Sequence, residues 1–569
     1  MSTFSWRNLL FLTLILLVAV TAAARSPDGE AAEDDPDPRF GAASVFWEAE
    51  KAAALDLGWE RILFYWSEIQ SEGPHYWNTL HVMEEWLREA DAQGREVVGL
   101  IKNTPPWATD GVPYGGVPRG LYEPVDDPDN LWAVFVRRLI NYYSERGVHR
   151  WIIWNEPDIE TGVYGNEWAG DIEDYYRLLK VAYLVIKEED PEATVHLAGL
   201  TYWHDVTAGR EQYLRRFLEV VAADPEAPEH DYFFDVISLH IYFRAESVAS
   251  IVEEIDAIQQ SFGLDKPIWI NETNAAPTLD PEWPVDRPQF QIDLEQQAWY
   301  IVQAHALGFA AGAERIGVYK LTDINLPPGG ESFGLLRPDL SPRPGYYALQ
   351  TVIDVLSGFR DVQMEENERY YIVTFTRPQG LTRVLWARTP EAVTLSVPPT
   401  TAEATLVQAT GETSPLAAED GSYTLTLEGA RCYDLCLVGG PPLIVVEEAV
   451  QGEEEALHEE EALHEEEALH EEEEATATAT REAGDEAEEG ATATPPATVT
   501  ALPTATVLQA STATPFPTLT PSATETATAG ETPAGGAVRS LPPAFGWAGG
   551  AAAFMILLFL LVKFGRRLW

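Results

Sequence analysis

The sequence predicts an α/β protein in which a (β/α)8 TIM barrel precedes a small C-terminal β-sandwich, a low-complexity stalk and a transmembrane helix. Three observations lead to this prediction. Between residues 39 and 358, strand-like apolar runs alternate with amphipathic helical stretches. Residues 359–445 contain short strands of alternating polarity instead. After these, the chain becomes acidic and then rich in Thr and Pro, before a final apolar run.

Length and charge limit the possible functions. The chain has 569 residues, of which 46% are hydrophobic and 11% aromatic, so it can fill a large core across two or three domains. Its formal net charge is −54. Because such a surface repels phosphate backbones, nucleic acid is excluded as a partner, and a neutral or cationic substrate is favoured.

The N-terminus resembles a secretory signal over residues 1–25. Arg7 precedes an apolar run at 9–20, and small alanines follow at 22–24. The run is short for a membrane span, and an uncleaved anchor is the alternative interpretation. Residues 26–38 are acidic, contain Pro and predict a flexible leader.

The region 39–358 carries the alternation that defines the barrel. Strands are predicted at 41–46, 61–65, 96–101, 150–155, 194–199, 236–241, 267–271 and 315–320. Helical stretches between them include 131–146, 174–189, 212–222, 248–262 and 292–307. Eight strands that alternate with helices over this length are typical of a (β/α)8 barrel.

The region 359–445 is predicted to be a β-sandwich that supports the barrel. Its predicted strands are 370–376, 382–387, 393–397, 423–427 and 432–438. The last holds both cysteines, Cys432 and Cys436. Residues four apart on one extended strand are about 13 Å apart, too far to bridge. Both cysteines are therefore interpreted as packing residues. A local disulfide, which requires a bend, is the alternative.

Residues 446–544 predict a stalk, and residues 545–562 a transmembrane helix. The motif EEEALH occurs three times over 453–470, but a six-residue period gives no continuous apolar stripe and puts the histidines on different helical faces. The Thr/Pro-rich part predicts an extended, O-glycosylated spacer. Basic residues in the tail 563–569 place that tail in the cytoplasm. We therefore expect a single-pass cell-surface protein with its barrel outside.

Two glutamates follow predicted barrel strands, where the active sites of such barrels lie. Glu156 occurs in IIWNEPD and Glu272 in WINETN. Two carboxylates in one cleft suit acetal hydrolysis, because one protonates the leaving oxygen while the other attacks the anomeric carbon or activates water. The alternatives are a helix-start residue for Glu156 and a surface turn for Glu272. The glycosylation sequon at 271–273 is interpreted as coincidental.

These two motifs resemble those around the catalytic glutamates of clan A retaining glycoside hydrolases, with families 39 and 5 most similar. The resemblance covers residues 40–356. It implies that Glu156 is the general acid/base and Glu272 the nucleophile. It further implies that Asn155, before the acid/base, binds the sugar 2-hydroxyl.

The same resemblance assigns three further residues to the pocket. Arg61 matches the clan's strand-two arginine, which keeps the nucleophile ionised. His240 and Tyr242, in SLHIY, match a His-x-Tyr pair that lines the pocket. An ordinary barrel ion pair for Arg61 and a buried core histidine for His240 are the alternatives.

Aromatic residues near strand ends are candidates for sugar binding, because pyranose C–H faces pack on flat rings. They are Trp66, Trp107, Trp203 and Tyr319, and a core position is the alternative for each. Clan A barrels commonly carry a Trp at the end of strand eight. Here Tyr319 stands at that place, followed by Lys320, which suits an acidic or hydroxyl-rich ligand.

The sequence therefore predicts an extracellular, membrane-anchored glycoside hydrolase that cleaves O-glycosyl bonds in a carbohydrate substrate by retaining double displacement. No metal or organic cofactor is implied, since carboxylates and water perform this chemistry. The alternative is a non-catalytic cell-surface glycan-binding protein on a barrel scaffold. Transglycosylation uses the same site and differs only in the acceptor.

Overall fold

The computed structural model describes residues 35–159, 167–324, 326 and 329–448. The predicted signal peptide, transmembrane helix and tail lie outside the described residues, as do the leader up to residue 34 and the stalk from residue 449. Within the described ranges, no helix has both the length and the apolar character that a membrane crossing needs.

Eight parallel strands form a barrel. They are β1 Phe40–Ala43, β2 Trp59–Tyr65, β3 Glu96–Lys102, β4 Arg150–Ile153, β5 Thr194–His196, β6 Ile237–Tyr242, β7 Ile268–Asn274 and β8 Arg315–Val318. Neighbours pair in chain order and β8 pairs with β1. Bridges from His196 to Val236 and from Leu200 to Leu239 join β5 to β6, which closes the barrel. Every predicted strand overlaps an observed one, so the predicted barrel is confirmed.

Helices connect the strands on the outside. They are α1 Ala49–Ala53, α2 Trp66–Ile69, α3 Glu84–Ala92, α4 Leu131–Tyr143, α5 Ile172–Glu189, α6 Trp203–Ala208, α7 Tyr213–Ala222, α8 Ser247–Ser261, α9 Leu294–Ala310 and α10 Pro344–Leu356. Asp171 and Asp293 begin α5 and α9 with capping boxes, in which side chain and backbone satisfy each other's polar groups at the helix start. The predicted helical stretches overlap α4, α5, α7, α8 and α9.

The barrel interior is filled by side chains from alternate strand positions, because successive residues of a strand face opposite sides. The interior cluster consists of Trp59, Val98, Leu100, Ile152, Val236 and Trp269, with Leu63 packed against it. The other face of the strands packs on the helices in a much larger core. Continuing the alternation along β2 and β3 directs Arg61, Tyr65 and Lys102 to the interior.

The chain after α10 forms an antiparallel domain of two sheets. Strands β9 Asp361–Glu366, β10 Tyr370–Arg377, β11 Gly380–Ala387, β13 Glu403–Gln408, β14 Thr413–Ala417 and β16 Leu443–Glu448 form the larger sheet, and β12 Val393–Val397 pairs with β15 Tyr423–Leu427. The larger sheet has the order β14-β13-β16-β11-β10-β9. Leu385 and Val445 from it share a cluster with Tyr423 and Leu425 from the smaller sheet, as expected of a sandwich. The larger sheet continues through Glu448, past the predicted boundary at 445.

The segment 432–438 is not a strand, which corrects the prediction. Cys432 and Cys436 form a disulfide with their Cα atoms 4.5 Å apart, a distance that only a bent chain allows. The interpretation of both cysteines as packing residues was therefore wrong, and the alternative of a local disulfide is the observed state. The alternating apolar residues of this segment predicted a strand, but the same alternation also occurs in a loop that packs on a helix.

This disulfide-containing loop, residues 430–440, packs on α9 of the barrel. The side-chain amide of Gln303 donates to the carbonyl of Gly440 at 2.8 Å, and its oxygen accepts from the N–H of Gly439 at 2.9 Å. Arg431 forms ion pairs with Asp293 and Glu295. The loop therefore joins the sandwich to the barrel.

Sandwich and barrel also share apolar core. Val373, Phe375 and Trp386 of the larger sheet belong to the same buried cluster as the barrel helices. Arg388 adds an ion pair of 3.0 Å to Glu246 of the barrel. This continuous interior favours the interpretation of the sandwich as a support for the barrel.

Candidate active site

Glu156 follows β4 on a backbone that turns sharply. Trp154 and Glu156 have φ values of +76° and +43°. Residues other than glycine rarely adopt such values, each at a cost of roughly 1–3 kcal/mol. The N–H of Glu156 donates to the carbonyl of Gly199 at 3.1 Å, which holds the turn. The side chain reaches His240, whose Nδ1 is 2.6 Å from Glu156 Oε1.

Glu272 lies in β7 where the register of β7 against β6 and β8 shifts. Its side chain is buried, and three groups contact it. Arg61 of β2 donates to one carboxylate oxygen, and the hydroxyl of Tyr242 on β6 donates to the other. Nδ1 of His240 lies 3.5 Å from that second oxygen. The neighbouring Asn271 is only 1% exposed, so a glycosyltransferase does not reach the sequon in the folded protein.

Charges in the site favour the ionised form of Glu272. Burial raises the pKa of this carboxyl, but the charges of Arg61 and His240 and the hydrogen bond from Tyr242 outweigh burial, so the pKa is lowered overall. Burial lowers the pKa of His240, while the carboxylates of Glu272 and Glu156 outweigh that effect and raise it. Both shifts favour a carboxylate at Glu272 beside a protonated imidazole.

The two glutamates are close together. One atom each from Glu156, His240 and Glu272 lie within 4.8 Å of one another, a spacing that also suits a metal cation. Arg61, however, contacts Glu272 directly and brings a fixed positive charge to the edge of this group. Because that charge repels a divalent cation, the residues suit proton transfer and nucleophilic attack better than metal binding.

Gly199, at the end of the predicted fifth strand, makes room for His240. A Cβ atom at residue 199 would be only 2.0 Å from Nε2 of His240. The imidazole can therefore occupy this position only because residue 199 has no side chain. Sequence reasoning did not assign Gly199 to the site, although a glycine at a barrel strand end is a signal for close packing.

Asn155 lies half-buried between Glu156 and a second ion pair. Its Nδ2 donates to Oε2 of Glu167 at 3.4 Å, and the ammonium of Lys102 binds the same oxygen. Neither Lys102 nor Glu167 was a predicted site residue. A lysine at the end of an otherwise apolar barrel strand is a sequence signal for a site residue, and Lys102 could have been found in this way. Glu167 follows no strand, so the sequence gives no such signal for it.

Of the aromatic candidates, Tyr319 lies beside Tyr242 and Arg61, the two residues that hold Glu272. Its ring centroid is 6.1 Å from that of Tyr242, and the Arg61 guanidinium carbon is 5.9 Å from the Tyr319 centroid. Lys320 beside it forms an ion pair of 3.0 Å with Asp323.

The other aromatic candidates have different surroundings. Trp66 is fully buried and stacks on Phe135. It is therefore a core residue, which was the alternative to a sugar-binding role. Trp107 is half-buried, contacts the edge of Trp66 at 5.9 Å and donates to the carbonyl of Gln70. Trp203 is half-buried and packs against its neighbour Tyr202.

The fold and the site together define a class. A (β/α)8 barrel with one glutamate after β4, another on β7 and an arginine on β2 beside the second has the arrangement of clan A glycoside hydrolases. The chain resembles that clan.

No protein-family model matches the sequence. A curated β-xylosidase of Caldicellulosiruptor saccharolyticus is 28% identical over 256 residues, which cover 40% of this chain and 46% of that protein. The chain thus matches about half the length of this relative. A solved family 39 glycoside hydrolase from the gut symbiont Bacteroides cellulosilyticus WH2 superposes with a TM-score of 0.54 at 16% identity, covering 74% of this chain and 82% of that one. This structural likeness shows a shared fold.

Proposed function

We propose that this chain is a glycoside hydrolase that cleaves O-glycosidic bonds with retention of configuration, and that β-xylosides are its substrate class. The observation that carries the proposal is the separation of Glu156 and Glu272, whose nearest oxygens lie within 4.8 Å. Retaining enzymes hold their two carboxyl groups about 5–5.5 Å apart, while inverting enzymes need about 6.5–9.5 Å to admit a water molecule. The similarity to a β-xylosidase supports the choice of sugar.

In the first step, Glu156 donates its proton to the glycosidic oxygen while the Glu272 carboxylate attacks the anomeric carbon. The C–O bond breaks, the alcohol leaves, and a glycosyl ester forms on Glu272. Arg61 and Tyr242 favour this step because they hold Glu272 ionised and oriented. In the second step, the Glu156 carboxylate takes a proton from water, the water oxygen attacks the same carbon, and Glu272 departs.

His240 has a positioning role in this scheme. Its Nδ1 lies 2.6 Å from Glu156 and 3.5 Å from Glu272, so one imidazole orients both carboxylates. Tyr319, at the place where the clan commonly has Trp, offers its ring to the bound sugar.

The experiment is turnover of 4-nitrophenyl β-D-xyloside and a panel of other aryl β-glycosides by the purified protein, with Glu156→Ala and Glu272→Ala alongside. We expect activity in the wild type and its loss in Glu272→Ala. Azide added to Glu272→Ala is expected to give the α-glycosyl azide, which identifies the nucleophile. Binding of xylo-oligosaccharides without turnover of any glycoside would favour the alternative of a glycan-binding protein.

We further propose that the protein acts at the cell surface. The support is sequence outside the described residues: the signal-like segment 1–25, the apolar run 545–562 and the basic tail after it. The measurement is fractionation of cells that express the full chain and a truncation lacking residues 545–569. Activity in the membrane fraction that moves to the medium on truncation is the expected result, and activity confined to the cytosol would contradict the location.

A further inference from the structure

Lys102 ends β3 inside the barrel mouth. Val98 and Leu100 of the same strand fill the interior cluster, and the two-residue period of a strand places Lys102 on that face. Its side chain is 12% exposed. A lysine at an interior, largely buried strand end is unusual, because burying an ammonium costs free energy unless partners compensate.

Glu167 is that partner, and its backbone is firmly held. The indole N–H of Trp154 donates to the carbonyl of Glu167 at 2.7 Å. Trp168 packs on Trp154 with ring centroids 5.1 Å apart, and the N–H of Ala169 donates to the carbonyl of Gly115 at 2.9 Å. These contacts fix Glu167 against the end of β4, next to the residues that precede Glu156.

The ion pair adjoins two residues near the predicted catalytic groups, Asn155 and Tyr65. On one side, Oε2 of Glu167 accepts from the amide of Asn155, the neighbour of Glu156. On the other side, Lys102 is the register partner of Tyr65 on β2. Burial raises the pKa of Tyr65 to about 12, and the nearby charges of Tyr319 and Glu167 add to this while Arg61 opposes it. The Tyr65 hydroxyl is therefore a neutral group, near enough to Glu167 and Arg61 for the charges of both to act on it.

The chemistry of this group matches vicinal sugar hydroxyls. An ammonium carries three donors and a carboxylate accepts several hydrogen bonds, and the Lys102–Glu167 and Asn155–Glu167 contacts use only part of this capacity. Each sugar hydroxyl both donates and accepts, so a hydroxyl beside the pair can donate to Glu167 and accept from Lys102. The pair is neutral overall, so it favours a neutral sugar over a uronate or an amino sugar.

We propose that Lys102 and Glu167 form a hydroxyl-binding subsite beside Asn155 that selects neutral sugars with a free 3-hydroxyl. The proposal rests on the proposed function and on the expectation, implied by the family resemblance, that Asn155 contacts the adjacent 2-hydroxyl. Lys102 and Glu167 are substrate-binding residues in this scheme, separate from the two carboxylates that perform the chemistry.

The test compares kcat/KM for 4-nitrophenyl β-D-xyloside with that for its 3-deoxy analogue. A hydroxyl held by charged groups predicts that the wild type prefers the parent roughly 10- to 100-fold. Lys102→Met and Glu167→Gln are expected to reduce this preference to within a few-fold. The matched control is Lys180→Met, because Lys180 is equally buried at 12% exposure but pairs with Asp224 on the outside of the barrel. It should keep the wild-type preference.

The outcomes separate this subsite from the proposed function. If Lys102→Met and Glu167→Gln turn over the parent xyloside and keep the wild-type preference over the 3-deoxy analogue, the subsite is overturned. The proposed hydrolase function would still stand. If no protein turns over either compound, calorimetric titration with xylobiose decides. Binding weakened in Lys102→Met and Glu167→Gln would support the subsite and reject the hydrolase, whereas absent or unaffected binding would overturn the subsite too. Thermal unfolding of each variant identifies any loss of fold, and Glu167→Gln is the milder of the two.

Discussion

Arg61 and Glu272 show how one contact sets the charge of a buried carboxyl. Glu272 is 6% exposed, an environment that by itself favours the protonated acid. The guanidinium of Arg61, which is 3% exposed, reverses that preference through a charged hydrogen bond. Arg61 is therefore the largest single contribution that favours the ionised form of Glu272.

Arg61→Met is expected to raise the pKa of Glu272, because burial remains while its largest compensating charge is lost. The acid limb of the kcat/KM profile reports ionisation of the nucleophile, so the limb should move to higher pH, by roughly 1–3 pH units. The measurement is kcat/KM against pH for the best aryl glycoside. Arg137→Met, which breaks a surface ion pair with Glu188, is the control. An unmoved acid limb in Arg61→Met would contradict the assignment.

Gly199→Ala is expected to displace His240, because the added methyl would stand 2.0 Å from its Nε2. The 2.6 Å contact from His240 to Glu156 is then lost, and misplacement of a catalytic group by about 1 Å costs on the order of 100-fold in kcat. The measurement is kcat beside a thermal unfolding curve. Gly111→Ala is the control, since its new Cβ would meet only ordinary contacts. Full activity in Gly199→Ala would refute the packing argument.

At this scale, several site residues were predictable because they stand at strand ends, whereas Lys102 and Gly199, also at strand ends, and Glu167, which follows no strand, were missed. Glu156, Glu272 and Arg61 could be found because strand ends of a barrel meet in one cleft. Their catalytic roles stay predictions until the variants are measured. Glu167 could not be found, since it follows no strand and its contact with Asn155 joins residues twelve apart in the chain. Gly199 was missed because it contributes no side chain to the site. Its role is to leave room for the His240 imidazole.

At the scale of elements, the loop that contains the Cys432–Cys436 disulfide is the connection between sandwich and α9. The bond closes a short loop, and its loss adds conformational freedom to the unfolded chain worth about 2 kcal/mol in the chain-entropy description. Cys432→Ser with Cys436→Ser should lower the free energy of unfolding by about that amount, with kcat nearly unchanged. Urea unfolding of the double variant, compared with the wild type under reducing and oxidising conditions, measures it. Equal stability of the two proteins would exclude a stabilising role.

Burial made most of the predicted elements recognisable, and exposure hid the edge strands of the larger sheet. The barrel strands and the helices α4, α5, α7, α8 and α9 bury one or both faces, which leaves a clear pattern. Strands β9 and β14 lie at the two edges of the larger sheet and are mostly exposed, so their sequences carry little alternation. Strand β16 closes with Glu447 and Glu448, which resemble stalk sequence, yet Glu447 is buried and paired with Arg383.

At the scale of the whole molecule, barrel and sandwich share one apolar core. Trp386 on β11 is fully buried and belongs to the cluster that includes the barrel helices. It contacts Tyr371 with ring centroids 5.1 Å apart, and Gly439 of the disulfide-containing loop lies against its ring. A substitution that removes the Trp386 side chain is therefore expected to destabilise the barrel as well as the sandwich.

Trp386→Ala should cost about 3–5 kcal/mol, the usual range for removing a buried Trp. Because the core is continuous, the barrel and the sandwich should still unfold together, at a lower temperature. Calorimetry combined with loss of activity on heating tests both statements. Trp47→Ala is the control, since Trp47 is 36% exposed. Two separate transitions in Trp386→Ala, with the barrel unaffected, would show that the domains are independent.

The position of β16 in the larger sheet has a mechanical consequence. This strand lies between β13 and β11 and is antiparallel to both, so hydrogen bonds hold it along two sides. A pulling force that enters at Glu448 must shear both rows of bonds at once, whereas an edge strand would peel open one bond at a time. Force spectroscopy through a handle after residue 448 should therefore record a higher rupture force than pulling on β14. If the protein is tethered by its C-terminal part, the force reaches the sheet at a strand that is held on both sides.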